Sequence, residues 1–252
     1  MSNMKKNILF SIVLLFFSGF FPYRTMAQDD HGFRFIRLAY GDYDPRIITD
    51  YSTRGRGGGY TGRLAWMHDY PTAEDNLYEA VARTTKIQLA GQYMIIPLRD
   101  ERIFNYPFLY MSEPGYWFAT DQEIKNLREY FKRGGFVMFD DFRSAREWSQ
   151  LYYNLKLIFP DKEPVLVPND HPIWSIYYKI DPVEAPSWVT PRYSKYEDQY
   201  WTILDDKGRM TCIICYNQDV GDGWEWPQMR LDKAETLPFQ MGINFIMYAL
   251  TH

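Results

Sequence analysis

The chain reads as a three-layer α/β domain with a mostly parallel sheet, on three observations. Phe108-Leu109-Tyr110-Met111 and Phe136-Val137-Met138-Phe139 are short continuous apolar runs, the pattern of strands buried on both faces. Segments of helical spacing, with capping residues, alternate with these runs. Asp205-Asp206-Lys207-Gly208 then separates two strand-like segments, which adds a hairpin before a last apolar helix.

The first 27 residues stand apart. Lys5 and Lys6 precede an apolar run from Ile8 to Phe21, and Thr25-Met26-Ala27 ends in a small residue. That is the pattern of a secretory signal with a core too short for a comfortable membrane span. Cleavage near Ala27 leaves one domain over residues 28–252 in a periplasmic or secreted setting, an uncleaved anchor being the alternative. The mature chain carries 25 basic and 32 acidic residues, a net charge of −7. An acidic domain is a poor partner for nucleic acid or anionic lipid. The 21 Tyr and 8 Trp favour protein contacts or sugar stacking without choosing between them.

Along the chain, Phe33 to Tyr40 reads as a first strand. Residues 52–63 form a loop rich in Gly and Arg; it is read as a plain surface loop, with an anion-binding flap through Arg54 and Arg56 as the alternative. It lacks the Lys-Ser/Thr ending of a phosphate-binding loop. Thr72 is placed as an N-cap, with Glu74 and Asp75 in the first turn and Leu77, Ala80, Val81 and Thr84 on one face. Tyr93 to Leu98 is a candidate edge strand because of Pro97. Thr120 and Glu123 match a capping box ahead of Ile124, Leu127 and Phe131, and Gly134 ends that helix.

Ser144 to Phe159 returns as a helix, and His171-Pro172 opens a short aromatic turn. Trp201 to Leu204 and Met210 to Tyr216 are the hairpin strands. Leu237 to Leu250 closes the chain, with Phe239, Ile243, Ile246 and Leu250 on one stripe. Cys212 and Cys215 form a C-x-x-C inside the second hairpin strand. Residues three apart on a strand face opposite sides about 10 Å apart, so buried structural thiols are favoured over a redox pair.

Ligands of open α/β sheets bind outside the carboxyl ends of the strands. Asp140 and Asp141 stand where the Phe136–Phe139 run stops. Asp69, His171, Asn217 and Asp219 follow strand ends or sit in the motif loops. Asp140, Asp141 and His171 are the candidate catalytic set; Asp69, Tyr110, Asn217, Asp219, Arg54 and Arg56 are candidate binding residues. Asp69, Asp141 and His171 are candidate ligands should a divalent metal be held, although no cofactor is predicted. Each also has a structural reading as a helix cap, a turn former or a partner for Arg143 or Arg146. Adjacent Asp140 and Asp141 cannot share one pocket without local distortion of the strand.

Several segments carry a family resemblance: Trp66-Met67-His68-Asp69-Tyr70-Pro71, Tyr106-Pro107-Phe108-Leu109-Tyr110, the pattern from Leu127 to Phe142, Phe159-Pro160 and His171-Pro172-Ile173. In these the chain resembles the bacterial family called domain of unknown function 4159. The resemblance implies a flavodoxin-like fold related to class I glutamine amidotransferases. In those enzymes a strand after Gly-Gly ends in a nucleophile elbow carrying Cys. Asp140-Asp141-Phe142 stands in that turn here, so thioester amidotransfer is excluded. The resemblance also implies, by gene association, a link to MoxR-type ATPases and von Willebrand A-type membrane proteins. A non-catalytic binding or assembly module of the cell envelope is therefore the first functional reading, its partner an envelope protein or a small polar or glycan ligand. A metal-assisted or glycan-directed hydrolase is the second.

Overall fold

The computed structural model describes residues 32–41, 65–182, 199–227 and 237–252. Arg54 and Arg56, and the residues 1–27 read as a signal, lie outside the described residues. Four apolar segments form the parallel heart of the sheet: β1 (Ile36–Ala39), β3 (Phe108–Ser112), β4 (Phe136–Phe142) and β7 (Cys212–Tyr216). β2 (Met94–Pro97) pairs parallel at the outer edge of β1, the place Pro97 demands. β6 (Gln199–Thr202) runs antiparallel to β7, and the short β5 (Val165–Leu166) antiparallel to β6. The seven strands are ordered β2-β1-β3-β4-β7-β6-β5. The five parallel ones follow the flavodoxin-like order, doubly wound on both sides of β1.

Strand residues alternate between two cores. Leu38, Leu109, Val137, Phe139, Cys212 and Ile214 face one side, where α2 (Asp121–Lys132) and α3 (Ser144–Ile158) cover them. Phe35, Phe108, Tyr110, Phe136, Met138, Ile213 and Cys215 face the other, beneath α1 (Thr72–Thr84), α4 (Val220–Glu225) and α5 (Leu237–Thr251). That is the expected three-layer fold, with its hairpin and closing helix. The two cysteines are free and buried on opposite faces, as strand geometry requires.

The capping box of α2 is complete, with the Thr120 hydroxyl accepting from the Glu123 amide while Glu123 accepts from the Thr120 amide. The start of α1 differs from the reading of the sequence. Pro71 occupies the cap and Thr72 is the first helical residue, since an imino nitrogen is best spent where the helix has no acceptor for it. The closing helix is buried on more than one stripe, with Met241, Asn244 and Phe245 joining Ile243 and Ile246.

Candidate functional site

Asp140 and Asp141 do not form a turn after β4; they belong to its last three residues. Phe139 pairs with Ile214 and Phe142 with Tyr216, so β4 spends three steps against two of β7. The extra residue is a bulge, and Asp141 absorbs it with φ of 58°. Phe142 consequently packs on the face already used by Val137 and Phe139. This is the distortion that lets both aspartates join one polar cluster.

Asp69, Glu113, Asp141, Ser144 and Asn217 are the non-glycine residues with positive φ among the described residues. They stand in or after the ends of β3, β4 and β7 and in the loop before α1, all around the carboxyl end of the sheet. Such strain, of order 1–3 kcal/mol each, gathers where a site is being shaped.

Each carboxylate is positioned differently. Asp140 is fully buried; its Oδ1 accepts from the Val220 amide at 3.2 Å, and its Oδ2 from the Gly221 amide at 2.8 Å and the Tyr110 hydroxyl at 3.2 Å. Burial, chiefly, pushes its pKa up to about 6, against those amide hydrogen bonds. Asp141 bonds to His68 Nδ1 and, at 3.2 Å, to Arg143. Burial raises the Asp141 carboxyl, but these two cations outweigh it and hold the group below the ordinary carboxylate range. Arg143 reaches on to Asp219, whose other oxygen accepts from the Asp222 amide at 3.0 Å and so caps α4. Asn217 contributes from the end of β7, its Oδ1 accepting from the Ser144 amide at 3.4 Å.

His68 was not among the residues singled out from sequence. The buried Arg37 of β1 fixes its loop, donating to the Trp66 and His68 carbonyls at 2.8 Å each while pairing with Glu74 of α1. The imidazole is one-quarter exposed, and Asp141 overcomes the effect of burial to raise its pKa to about 10. Glu113, after β3, is pushed up to about 9 by burial and by Asp141.

Asp69 is the exception to this pairing. Its side chain is buried, yet neither carboxylate oxygen accepts a hydrogen bond. Its cap to α1 is made by the backbone carbonyl, which accepts from the Ala73 amide. His68 Nδ1 lies 3.5 Å from Asp69 Oδ1 but is committed to Asp141.

The structure thus brings Asp69, Tyr110, Asp140, Asp141, Asn217 and Asp219 to one end of the sheet. It does not bring His171, and this corrects the candidate catalytic and metal sets. His171 lies 5.7 Å from the Tyr248 ring, itself 5.4 Å from Phe136 at the start of β4. Four strand residues, about 13 Å, separate that end from Asp140. His171 instead accepts from the Ile173 amide and starts a single helical turn. His68 takes the place proposed for it, within 4.8 Å of Asp141 and Asp219 by ligand atoms.

The family model for a domain of unknown function, DUF4159, matches residues 59–250. The chain belongs to this family. The matched range holds all the polar residues of the cluster except Arg37. The chain matches no curated protein.

Proposed function

We propose that the chain is a binding module of the bacterial cell envelope, taking a polar, cation-bearing ligand at the carboxyl end of its sheet without covalent catalysis. One contrast carries the reading. Asp140, Asp141 and Asp219 are consumed by backbone amides, a tyrosine, a histidine and an arginine, whereas the buried Asp69 accepts no hydrogen bond and has only His68 at 3.5 Å. The first three are built to hold the site's shape, and the fourth to meet something from outside. The thiols support the same view. Cys215 lies on β7 beneath the site, and burial raises it far above the range of a useful nucleophile. The envelope setting rests on the N-terminal signal and, for MoxR-type and von Willebrand A-type partners, on the family resemblance. Among the described residues no helix is long and apolar enough to cross a membrane.

A hydrolase has one observation in its favour: Asp141 stands at positive φ in the bulge that ends β4, shortly before α3, bonded to an imidazole. The two readings separate in a single set of titrations. With isotope-labelled mature chain, diamines, amino sugars and muropeptide fragments shift the amides of His68, Asp69, Asp141, Arg143 and Asp222, and remain intact. Turnover of any of these, or of chromogenic ester, phosphate or glycoside substrates, lost in Asp141→Asn, establishes the hydrolase instead.

A further inference from the structure

Two groups of side chains at the strand ends have metal-ligating spacing, each with atoms within 4.8 Å of one another: His68, Asp141 and Asp219, and Asp69, Asp222 and Glu225. Their electrostatic states differ. In the first, Arg143 already bridges Asp141 and Asp219 and His68 is bonded to Asp141, so an incoming cation would have to displace a guanidinium. In the second, Asp69 is buried and neither of its oxygens accepts a hydrogen bond, His68 at 3.5 Å being spent on Asp141. Asp222 and Glu225 are half-buried and three residues apart, on one face of α4, directed at the Asp69 loop.

Gly221 makes the approach possible. A Cβ there would lie 2.6 Å from Asp69 Oδ2 and 2.7 Å from the Tyr110 hydroxyl, so the α4 backbone passes this close only as glycine. A buried carboxylate without a donor costs on the order of 1–3 kcal/mol, and a chain keeps one where a ligand completes it.

We propose that Asp69, Asp222 and Glu225 form a binding site for a hard divalent cation, calcium in the first place. The donors are all oxygen, which selects calcium or magnesium over the softer metals that favour imidazole or thiolate. Oxygens bound to one calcium at about 2.4 Å lie at most about 4.8 Å apart, a limit that the three groups already meet. Magnesium, at about 2.0–2.1 Å, sets a tighter limit and demands near-octahedral geometry. Water fills the remaining positions on the half-exposed side. The site rests on the reading of the strand ends as a binding region for a cationic ligand, and it names a metal ion as the cation that Asp69 receives.

The test uses the mature chain freed of metal by chelation and titrated with calcium chloride and magnesium chloride by calorimetry, with thermal unfolding in parallel. One calcium ion binds per chain with Kd of about 0.01–1 mM, and 5 mM calcium raises the melting temperature by about 3–8 °C. Asp69→Asn abolishes both effects, whereas Asp222→Asn and Glu225→Gln each weaken binding about 10-fold or more. The distant exposed variant Glu79→Gln changes neither. Absence of calcium binding in the wild type, or binding undiminished in Asp69→Asn, overturns the proposal. So does binding that is lost in His68→Ala and retained in Glu225→Gln. Amide shifts with organic ligands but none with calcium sink the cation site and leave the binding module standing. Calcium-dependent turnover does the reverse.

Discussion

Replacing Asp69 by asparagine stabilises the metal-free protein. Asp69 sits at φ of 65°, a conformation asparagine tolerates better than other non-glycine residues, so the backbone is undisturbed. What changes is the buried group. Burial pushes the Asp69 carboxyl well above the ordinary carboxylate range, so the folded chain must hold a proton there, and a neutral amide of the same shape removes that cost. Relief of about 1–3 kcal/mol follows, which for a domain of this size raises the melting temperature by about 3–8 °C. Urea and thermal unfolding in chelator at pH 7 measure it. Asp69→Ala provides the control, because alanine at positive φ costs about 1–2 kcal/mol and cancels much of the gain. An Asp69→Asn chain that melts at or below the wild-type temperature refutes the claim that this carboxyl is buried without a hydrogen-bond donor.

Three further outcomes follow from the same geometry. Asp140→Ala strips the acceptor from two backbone amides and the Tyr110 hydroxyl, and costs about 3–5 kcal/mol in urea unfolding; a loss under about 1 kcal/mol contradicts the bonding described. Glu113 titrates near 9 when folded against an ordinary 4.5, so its contribution to stability is complete below about pH 4.5 and is lost as pH rises toward 9. Glu113→Gln is therefore more stable than wild type by about 1–3 kcal/mol at pH 8 and equal to it at pH 4, as denaturation across pH shows. Cys212 and Cys215 resist iodoacetamide by about 100-fold or more in the native chain, both react after unfolding, and mass spectrometry finds no disulfide.

The layers of the fold were legible because their signals are local: apolar runs for β3 and β4, a capping box for α2, a Pro for the edge strand. The site was legible in place and only partly in membership. Asp69, Asp140, Asp141 and Asp219 follow from the rule that ligands meet strand ends. His68 was hidden because a buried arginine two strands away from β4 aims its loop, and no spacing in sequence reports that. Asp222 lies between Gly221 and Gly223, with Glu225 two residues further on, where two glycines mask a helix that the Asp219 cap and the burial of Trp224 enforce. His171 misled because its segment returns to the starts of the strands, a tertiary fact with no local signature. The bulge at Asp141 was foreseeable only as a condition, since a left-handed aspartate looks like any other in sequence.

The most direct measurement is a crystal structure of the mature chain grown in calcium, with an anomalous difference map. The account predicts a peak bonded at about 2.3–2.6 Å to Asp69, Asp222 and Glu225, beside an intact His68–Asp141–Arg143–Asp219 chain. A map without that peak, in which Asp69 accepts hydrogen bonds from protein donors, contradicts it.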